Sequence, residues 1–312
     1  MIIEKSEEII RSIGKVLIGK EEVVKKVLMA IYAKGNVLLE DTPGVGKTTL
    51  ALAFAKALGL DFKRVQFTPD TMPSDITGFT VYNKQTGEFD YKAGAIVCNL
   101  FMGDEINRAS AKTQSALLEA MEENSVTVDG VTHILPNPFV CIATQNPVGS
   151  AGTQPLPDSQ LDRFMVKLSI GYPDSTEQVE ILKSHQASDP IDSLTAITDR
   201  DSLTEIQNYL GSVKIAEDIL VYMVTLCEST RNNPLIELGV SPRGLIALSR
   251  MVRACAILSE RDYVIPGDVK YVFADVCAHR LILRPRAKLE GLTARSILED
   301  ILKNTPVPKI RR

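Results

Sequence analysis

Gly44, Gly46, Lys47 and Thr48 stand in the string EDTPGVGKTTL, residues 40–50, where an apolar segment ends and an alanine- and leucine-rich one begins. Glycines at such a junction let backbone N–H groups curl around phosphate oxygens that a Cβ would obstruct. A helix opening at Lys47 adds the positive end of its dipole. The Lys47 ammonium can then reach β- and γ-phosphates, and the Thr48 hydroxyl can turn to Mg2+. One position departs from the usual Gly-x-x-x-x-Gly-Lys-Ser/Thr spacing: Asp41 stands where the first glycine is expected. Asp41 lies at the end of the preceding strand, so it is not expected to repel phosphate outright.

Three further stretches offer chemistry that such a loop needs. In GDEINRAS, residues 103–110, a buried strand delivers Asp104 and Glu105 to its C-terminal edge, where ligands gather in open α/β sheets. Asp104 suits Mg2+ held through water, and Glu105 suits orienting and deprotonating an attacking water. FVCIATQNP, residues 139–147, ends in Thr144, Gln145 and Asn146, and Asn146 is the candidate to hold that water. Two arginines complete the set. Arg163 (SQLDRF) is expected on a short helix before the last strand. Arg243 (GVSPRGL) follows an N-cap Ser241 and an N1 Pro242, a position from which it can swing toward a γ-phosphate. Each stretch has a plainer reading alone: an acidic pair at a strand end, an Asn-Pro turn, or surface ion pairs. Their occurrence together favours the chemistry.

Positioning these groups requires strands that end side by side. NVLLE, FKRVQF, AIVCNLFM, FVCIAT and MVKLSI read as five strands. Helical patterns at 20–34, 47–58 and from Ser110 to about 123 separate them, which predicts a parallel sheet covered on both faces. Residues 78–94 read as a hairpin turning near Gln85-Thr86-Gly87, and SVTVDGVTHIL as a second around Asp129-Gly130. A compact core needs neither. After GYPD the pattern turns helical, with a capping box expected at Ser175-x-x-Gln178. AEDILVYMVTLCEST, SPRGLIALSRMVRACAILSE and PGDVKYVFADVCAHRLIL each read as amphipathic helices. A boundary is expected near residue 172, with helices to about 290 and an extended or frayed tail, NTPVPKIRR.

The 312 residues are 45% apolar and 24% charged, with net charge −4, so the whole molecule offers no electrostatic footprint for nucleic acid. Five scattered cysteines without a Cys-x-x-Cys pair suit buried free thiols in a reducing compartment. His133, His185 and His279 show no metal-ligand spacing. The longest apolar run, 93–103, is about half a membrane span, and the N-terminus opens on charge. No membrane span is expected, and the sequence reads as soluble and cytoplasmic.

LLEDTPGVGKTTLA, MGDEINRASAKTQSALLEAMEE, ATQNP, LPDSQLDRF and SPRGLIALSR together resemble the MoxR family of AAA+ ATPases, over nearly the whole chain. Asp41 in place of glycine fits that family too. The resemblance implies an α/β AAA+ P-loop core (1–172) with a parallel sheet in the order 5-1-4-3-2. An all-α lid and tail (173–312) would follow, and the subunits would form a homo-oligomeric ring, most often a hexamer. By motif position Pro43, Gly44, Val45, Gly46, Lys47, Thr48 and Thr49 become the Walker A loop for ATP or ADP with Mg2+. Asp104 and Glu105 become Walker B, Asn146 sensor 1, and Arg163 the finger entering a neighbour's site. Arg243 becomes sensor 2, acting in cis or in trans. Residues 16–20, with Ile18 and Gly19, match the segment against adenine. The hairpins match the helix-2 insert and the pre-sensor-1 hairpin, which usually face a pore or substrate.

The function implied is ATP-driven remodelling or maturation of a protein client, with von Willebrand factor A domain proteins as the suggested clients. Two rivals are a nucleic-acid motor and a nucleotide-gated scaffold without turnover. The first hairpin sets Lys84 and Lys92 against Glu88 and Asp90, and the second holds Asp129 and His133, without the basic excess that strand tracking needs. A scaffold needs neither Glu105 nor Arg163.

Overall fold

A buried parallel strand with helices over both faces reads in sequence as an almost unbroken apolar run, and three such runs form the middle of the sheet. The computed structural model describes residues 2–146, 156–186 and 189–308. Five parallel strands, β1 (Val37–Glu40), β2 (Phe62–Gln66), β3 (Leu100–Asp104), β4 (Val140–Gln145) and β5 (Val166–Leu168), pair in the order β2-β3-β4-β1-β5. Read from the other edge this is 5-1-4-3-2, as the resemblance implies. Alternation along each strand divides the apolar residues between two layers. Val37, Leu39, Met102 and Ile142 face one cluster, and Leu38, Phe101, Cys141 and Ala143 the other.

Helices α1 (Ile2–Val16), α2 (Glu21–Tyr32) and α3 (Lys47–Ala57) cover the first layer. Helices α4 (Pro73–Thr77) and α5 (Ala111–Glu123) cover the second. Helix α1 is not among the elements expected from sequence. Its buried Ile9 and Ile13 have the i, i+4 spacing of a helix face, hidden among the terminal charges. The third strand also differs from expectation. Pairing begins at Leu100, opposite Val140, and ends at Asp104. Residues 95–99 are irregular, with amides bonded to carbonyls of Asp75, Ile76 and Asp61. Ile96 and Cys98 are nevertheless fully buried, so apolar character reported burial there, not pairing.

Both hairpins are present: Gly78–Tyr82 with Phe89–Ala93, and Ser125–Val128 with Val131–Ile134. Asp129 (φ 49°) and Gly130 (φ 80°) both take the left-handed region that a two-residue type I′ turn requires. The hairpins brace each other. Thr80 Oγ1 donates to Asp129 Oδ2 (2.5 Å), and the Tyr91 and His133 rings stack with centroids 3.7 Å apart. Phe79, Tyr82, Phe89, Val131 and Ile134 remain exposed around this brace.

Beyond β5 the chain is mainly helical: a short α6 (Asp158–Leu161) precedes that strand, and α7 (Ser175–Ser184), α8 (Arg200–Tyr209), α9 (Glu217–Arg231), α10 (Pro242–Leu258), α11 (Pro266–Cys277), α12 (Pro285–Leu289) and α13 (Ala294–Asn304) follow it. The capping box falls one residue earlier than expected. Asp174 accepts from the Glu177 amide (2.8 Å), and Glu177 accepts from the Asp174 amide (2.8 Å). Helix α11 stops at Cys277, and Ile282–Leu283 pairs with Ile236–Leu238 as a small ribbon instead of extending the helix. Helix α13, capped by Thr293, runs past residue 290; of the expected tail, residues 309–312 lie outside those described. The lid is pinned to the core by Arg280. Its side chain is 2% exposed, with Nε donating to Asp162 Oδ1 (2.7 Å) and Nη2 to the Phe164 carbonyl (2.6 Å).

Candidate nucleotide site

Strand β1 runs straight into the glycine loop, and the loop into α3. Gly46 is the N-cap of α3 at φ 95°, and Gly44 lies at φ 86°. A Cβ on Gly44 would meet nothing within 4 Å, so this bend of the backbone opens onto free space. A Cβ on Gly46 would come 3.1 Å from Leu17, which sets the α1–α2 turn with Ile18 and Gly19 against the loop. That turn is gripped from the lid side as well: Lys20 Nζ donates to the Tyr172 carbonyl (3.0 Å), and Gly19 packs on Glu177 of α7. Pro43 is exposed and Val45 buried, while Thr48 and Thr49 are half-buried on the first turn of α3.

Lys47 is buried, with Nζ donating to the carbonyls of Asp41 (2.5 Å) and Thr42 (3.1 Å). Burial lowers the pKa of its ammonium, while the charges of Asp41, Asp104 and Glu105 partly oppose that shift. The charges of three carboxylates therefore reach one lysine at the C-terminal edge of β1 and β3.

Asp104 and Glu105 are knitted to β4 through Thr144. The Thr144 hydroxyl donates to Asp104 Oδ1 (2.6 Å) and accepts from the Glu105 amide (2.8 Å). Asp104 Oδ2 accepts from Arg64 on β2 (2.6 Å). Glu105 has a left-handed backbone, φ 55°, that side chains rarely adopt. Its Oε1 accepts from Asn146 Nδ2 (3.0 Å) and its Oε2 from Arg108 (2.9 Å). Asn146 is buried, and among the described residues its Oδ1 has no partner. A buried amide oxygen left unpaired costs about 1–3 kcal/mol, and here it sits on the residue that holds Glu105.

The donor set fits a nucleotide and a hard cation. The Thr48 hydroxyl and Asp104 carboxylate are oxygen donors of the kind Mg2+ takes, beside a glycine cradle and a buried ammonium.

The two arginines go elsewhere. Arg163 lies two residues past α6 rather than on it; its Nη1 pairs with Glu122 (3.0 Å) and donates to the Leu118 carbonyl (2.8 Å). Arg243, on the first turn of α10, pairs with the same Glu122. Among the described residues neither arginine hydrogen-bonds Lys47, Asp104, Glu105 or Asn146. Arg243 thus contacts the end of α5, and Ser241 two residues earlier is tied to Asp162 (3.0 Å), next to Arg163.

Sequence reasoning did not single out Arg64, Arg108 or Glu122. Arg108 carried a signal, three residues after Glu105 on a tight turn. Arg64 carried none, since only the sheet order puts β2 beside β3.

Two family descriptions match the chain: "ATPase family associated with various cellular activities (AAA)" over residues 36–166, and "AAA lid domain" over 228–301. YeaC of Bacillus subtilis is 48% identical over 96% of this chain and 93% of its own. Chaperone MoxR1 of Mycobacterium tuberculosis is 36% identical over 97% of this chain and 82% of its own. A solved chain from Cytophaga hutchinsonii that carries an inferred ATPase label superposes with TM-score 0.90 at 38% identity, covering 99% of this chain and 96% of that one.

Proposed function

This chain belongs to the MoxR family of AAA+ ATPases, and from that premise we propose that it hydrolyses ATP with Mg2+ in a ring of its own copies, as a hexamer, to remodel a partner protein. The observation that carries the catalytic part is the fixed carboxylate: Glu105 held between Asn146 and Arg108, one residue from Asp104. In this reading the loop amides and Lys47 bind the β- and γ-phosphates. Glu105 takes a proton from the attacking water, and the Asn146 oxygen, unpartnered among the described residues, orients that water. Thr48 and Asp104 would hold Mg2+, which would neutralise phosphate charge. Ile18 and Gly19 would lie against adenine.

Arg163 and Arg243 share Glu122, and Arg163 would reach a neighbouring subunit's γ-phosphate, with Arg243 acting in cis or in trans. The site is then complete only between subunits, with an α/β core of residues 1–172 and a lid from 173 onward rocking across it.

The chaperone part draws on the MoxR1 likeness and on the braced hairpins, whose exposed aromatic and aliphatic side chains suit a protein client better than a nucleic acid. A von Willebrand factor A domain protein is the client class we propose, and the cytoplasm the compartment.

The test is Glu105→Gln. Turnover should fall by about 100-fold or more while ATP binding survives, and the ATP-held protein should retain both its ring and its client in a pull-down. Unchanged turnover would remove Glu105 from the mechanism.

A further inference from the structure

The aspartate that breaks the phosphate-loop pattern is used at both ends. Its backbone belongs to the loop: the Asp41 carbonyl accepts from Lys47 Nζ (2.5 Å), and its amide donates to Gln145 of β4 (3.4 Å). Its side chain belongs elsewhere. Oδ2 accepts from the amides of Ile170 (2.8 Å) and Gly171 (2.7 Å) and from the Ser169 hydroxyl (2.8 Å), and Oδ1 from the Thr42 amide (3.0 Å). Residues 169–171 lie in the connection that leaves β5 at Leu168 and enters α7 at Ser175, the passage from sheet to lid. Gly171, at φ 69°, is the bend in that passage.

A glycine at position 41 could supply only the backbone half of this arrangement. The aspartate adds three bonds from one carboxylate oxygen to consecutive residues of the connection, a fixed bearing for the segment about which the lid must turn. Charge-assisted bonds of this kind are short and strong. The acid's charge is also spent on amides and a hydroxyl, which explains how it sits beside a phosphate loop without spoiling it.

We propose that Asp41 is a positioning residue that couples phosphate-loop occupancy to lid orientation. When Lys47 leaves the Asp41 carbonyl to meet phosphate, the shift of residue 41 passes through its carboxylate to residues 169–171. The proposal rests on the nucleotide reading above. It makes Asp41 a working part of the cycle, acting through Lys47 and the connection without touching substrate.

The experiment compares the full-length protein with Asp41→Gly, Asp41→Asn and Ser169→Ala, using ADP with Mg2+ as probe. Hydrogen exchange is read at the Ile170 and Gly171 amides, and kcat and KM are measured for ATP. In the wild-type protein those amides should be protected, and their protection should change on adding ADP. Asp41→Gly should exchange at least about tenfold faster there and lose the response to ADP, with kcat down about tenfold and KM within about threefold. Asp41→Asn keeps an acceptor oxygen and should recover part of kcat, and Ser169→Ala should fall between. If Asp41→Gly does not fold, the last two variants carry the comparison.

Wild-type exchange and kcat in the variants would overturn the proposal, as would faster exchange with an unaltered ADP response and unaltered kcat. Wild-type protein that bound no ADP would overturn the nucleotide reading and the coupling with it. The ligand-free exchange difference would still report whether the Asp41 tie exists.

Discussion

At the scale of single residues, the site is a set of side chains each held by a neighbour from another strand. Thr144 joins Asp104 to Glu105, Asn146 and Arg108 hold the Glu105 carboxylate, and Lys47 rests on carbonyls of its own loop. Glu122 does the same for the two arginines. Their assignment to a neighbouring site predicts a complementation result. Neither Arg163→Ala nor Glu105→Gln should turn over alone, but mixed rings contain interfaces with one intact glutamate facing one intact arginine. Mixing should restore roughly a fifth of wild-type activity or more, since an arginine finger is worth about 10³-fold or more. Arg243→Ala mixed with Glu105→Gln should recover likewise if Arg243 acts across the interface. Recovery with Arg163→Ala but not with Arg243→Ala would return Arg243 to its own subunit. The sequence made Lys47, Thr48, Asp104, Glu105 and Asn146 legible because their spacing within short strings is itself the signal. Glu122 and the side-chain role of Asp41 were illegible, since the partners of Asp41 lie about 130 residues away and those of Glu122 up to 121.

At the scale of elements, helix α10 carries two duties on one residue. Ser241 caps it by accepting from the Gly244 amide (3.0 Å), and its hydroxyl donates to Asp162 of the core (3.0 Å). Loss of a cap costs about 1 kcal/mol, and the lid–core bond adds a similar amount. Ser241→Ala should therefore lower the melting temperature by about 2–4 °C in a scanning-calorimetry comparison. Ser241→Asp, a good cap that sets a second carboxylate against Asp162, should not recover the full loss. Core strands and hairpins were readable from alternation and turn residues, and the Asp129-Gly130 turn takes the backbone its residue types require. Element ends were less readable. The third strand was expected too early because burial and pairing separate at residues 95–99, and α11 too long because Leu281 to Leu283 are apolar in either a helix or a ribbon.

At the scale of the molecule, core and lid meet over buried charge. Arg280 is almost wholly enclosed, burial and not its partners dominating the lowered pKa of its guanidinium, and His279 beside it is buried with Nε2 3.0 Å from the Phe164 carbonyl. Burial, then the Arg280 charge, holds the His279 imidazole well below its usual pKa, so it stays neutral when folded. The unfolded chain takes up that proton near pH 6.5 while the folded chain refuses it, so stability present above that pH is lost as pH falls below it. The loss should approach about 1 kcal/mol per pH unit below 6.5, read as a drop in melting temperature between pH 7.5 and 5.5. His279→Gln should flatten that dependence. The carboxyl of Asp41 acts in a separate window. Partial burial raises its pKa, but the bonds from Gly171, Ser169, Thr42 and Ile170 outweigh that and hold it below the usual value, so its contribution disappears only under more acid conditions, below about pH 4. Among the described residues no helix is long and apolar enough to cross a membrane. The two-layer plan and helical lid were legible, but the junction between them was not: Asp162, Arg280 and His279 are ordinary residues in sequence and become a joint only when the lid folds back.

The left-handed backbone of Glu105 has a cost that shows up under selection. A non-glycine residue held at φ 55° carries about 1–2 kcal/mol that glycine would not. Glycine at 105 would relieve that strain and forfeit the carboxylate, together with its bonds to Asn146 and Arg108. A population of variants sorted for thermal resistance alone would weigh that strain only against the two bonds, whereas one sorted for turnover would be held at glutamate by the carboxylate itself. At position 105 durability sets a strained backbone against two bonds, while work depends on the carboxylate alone.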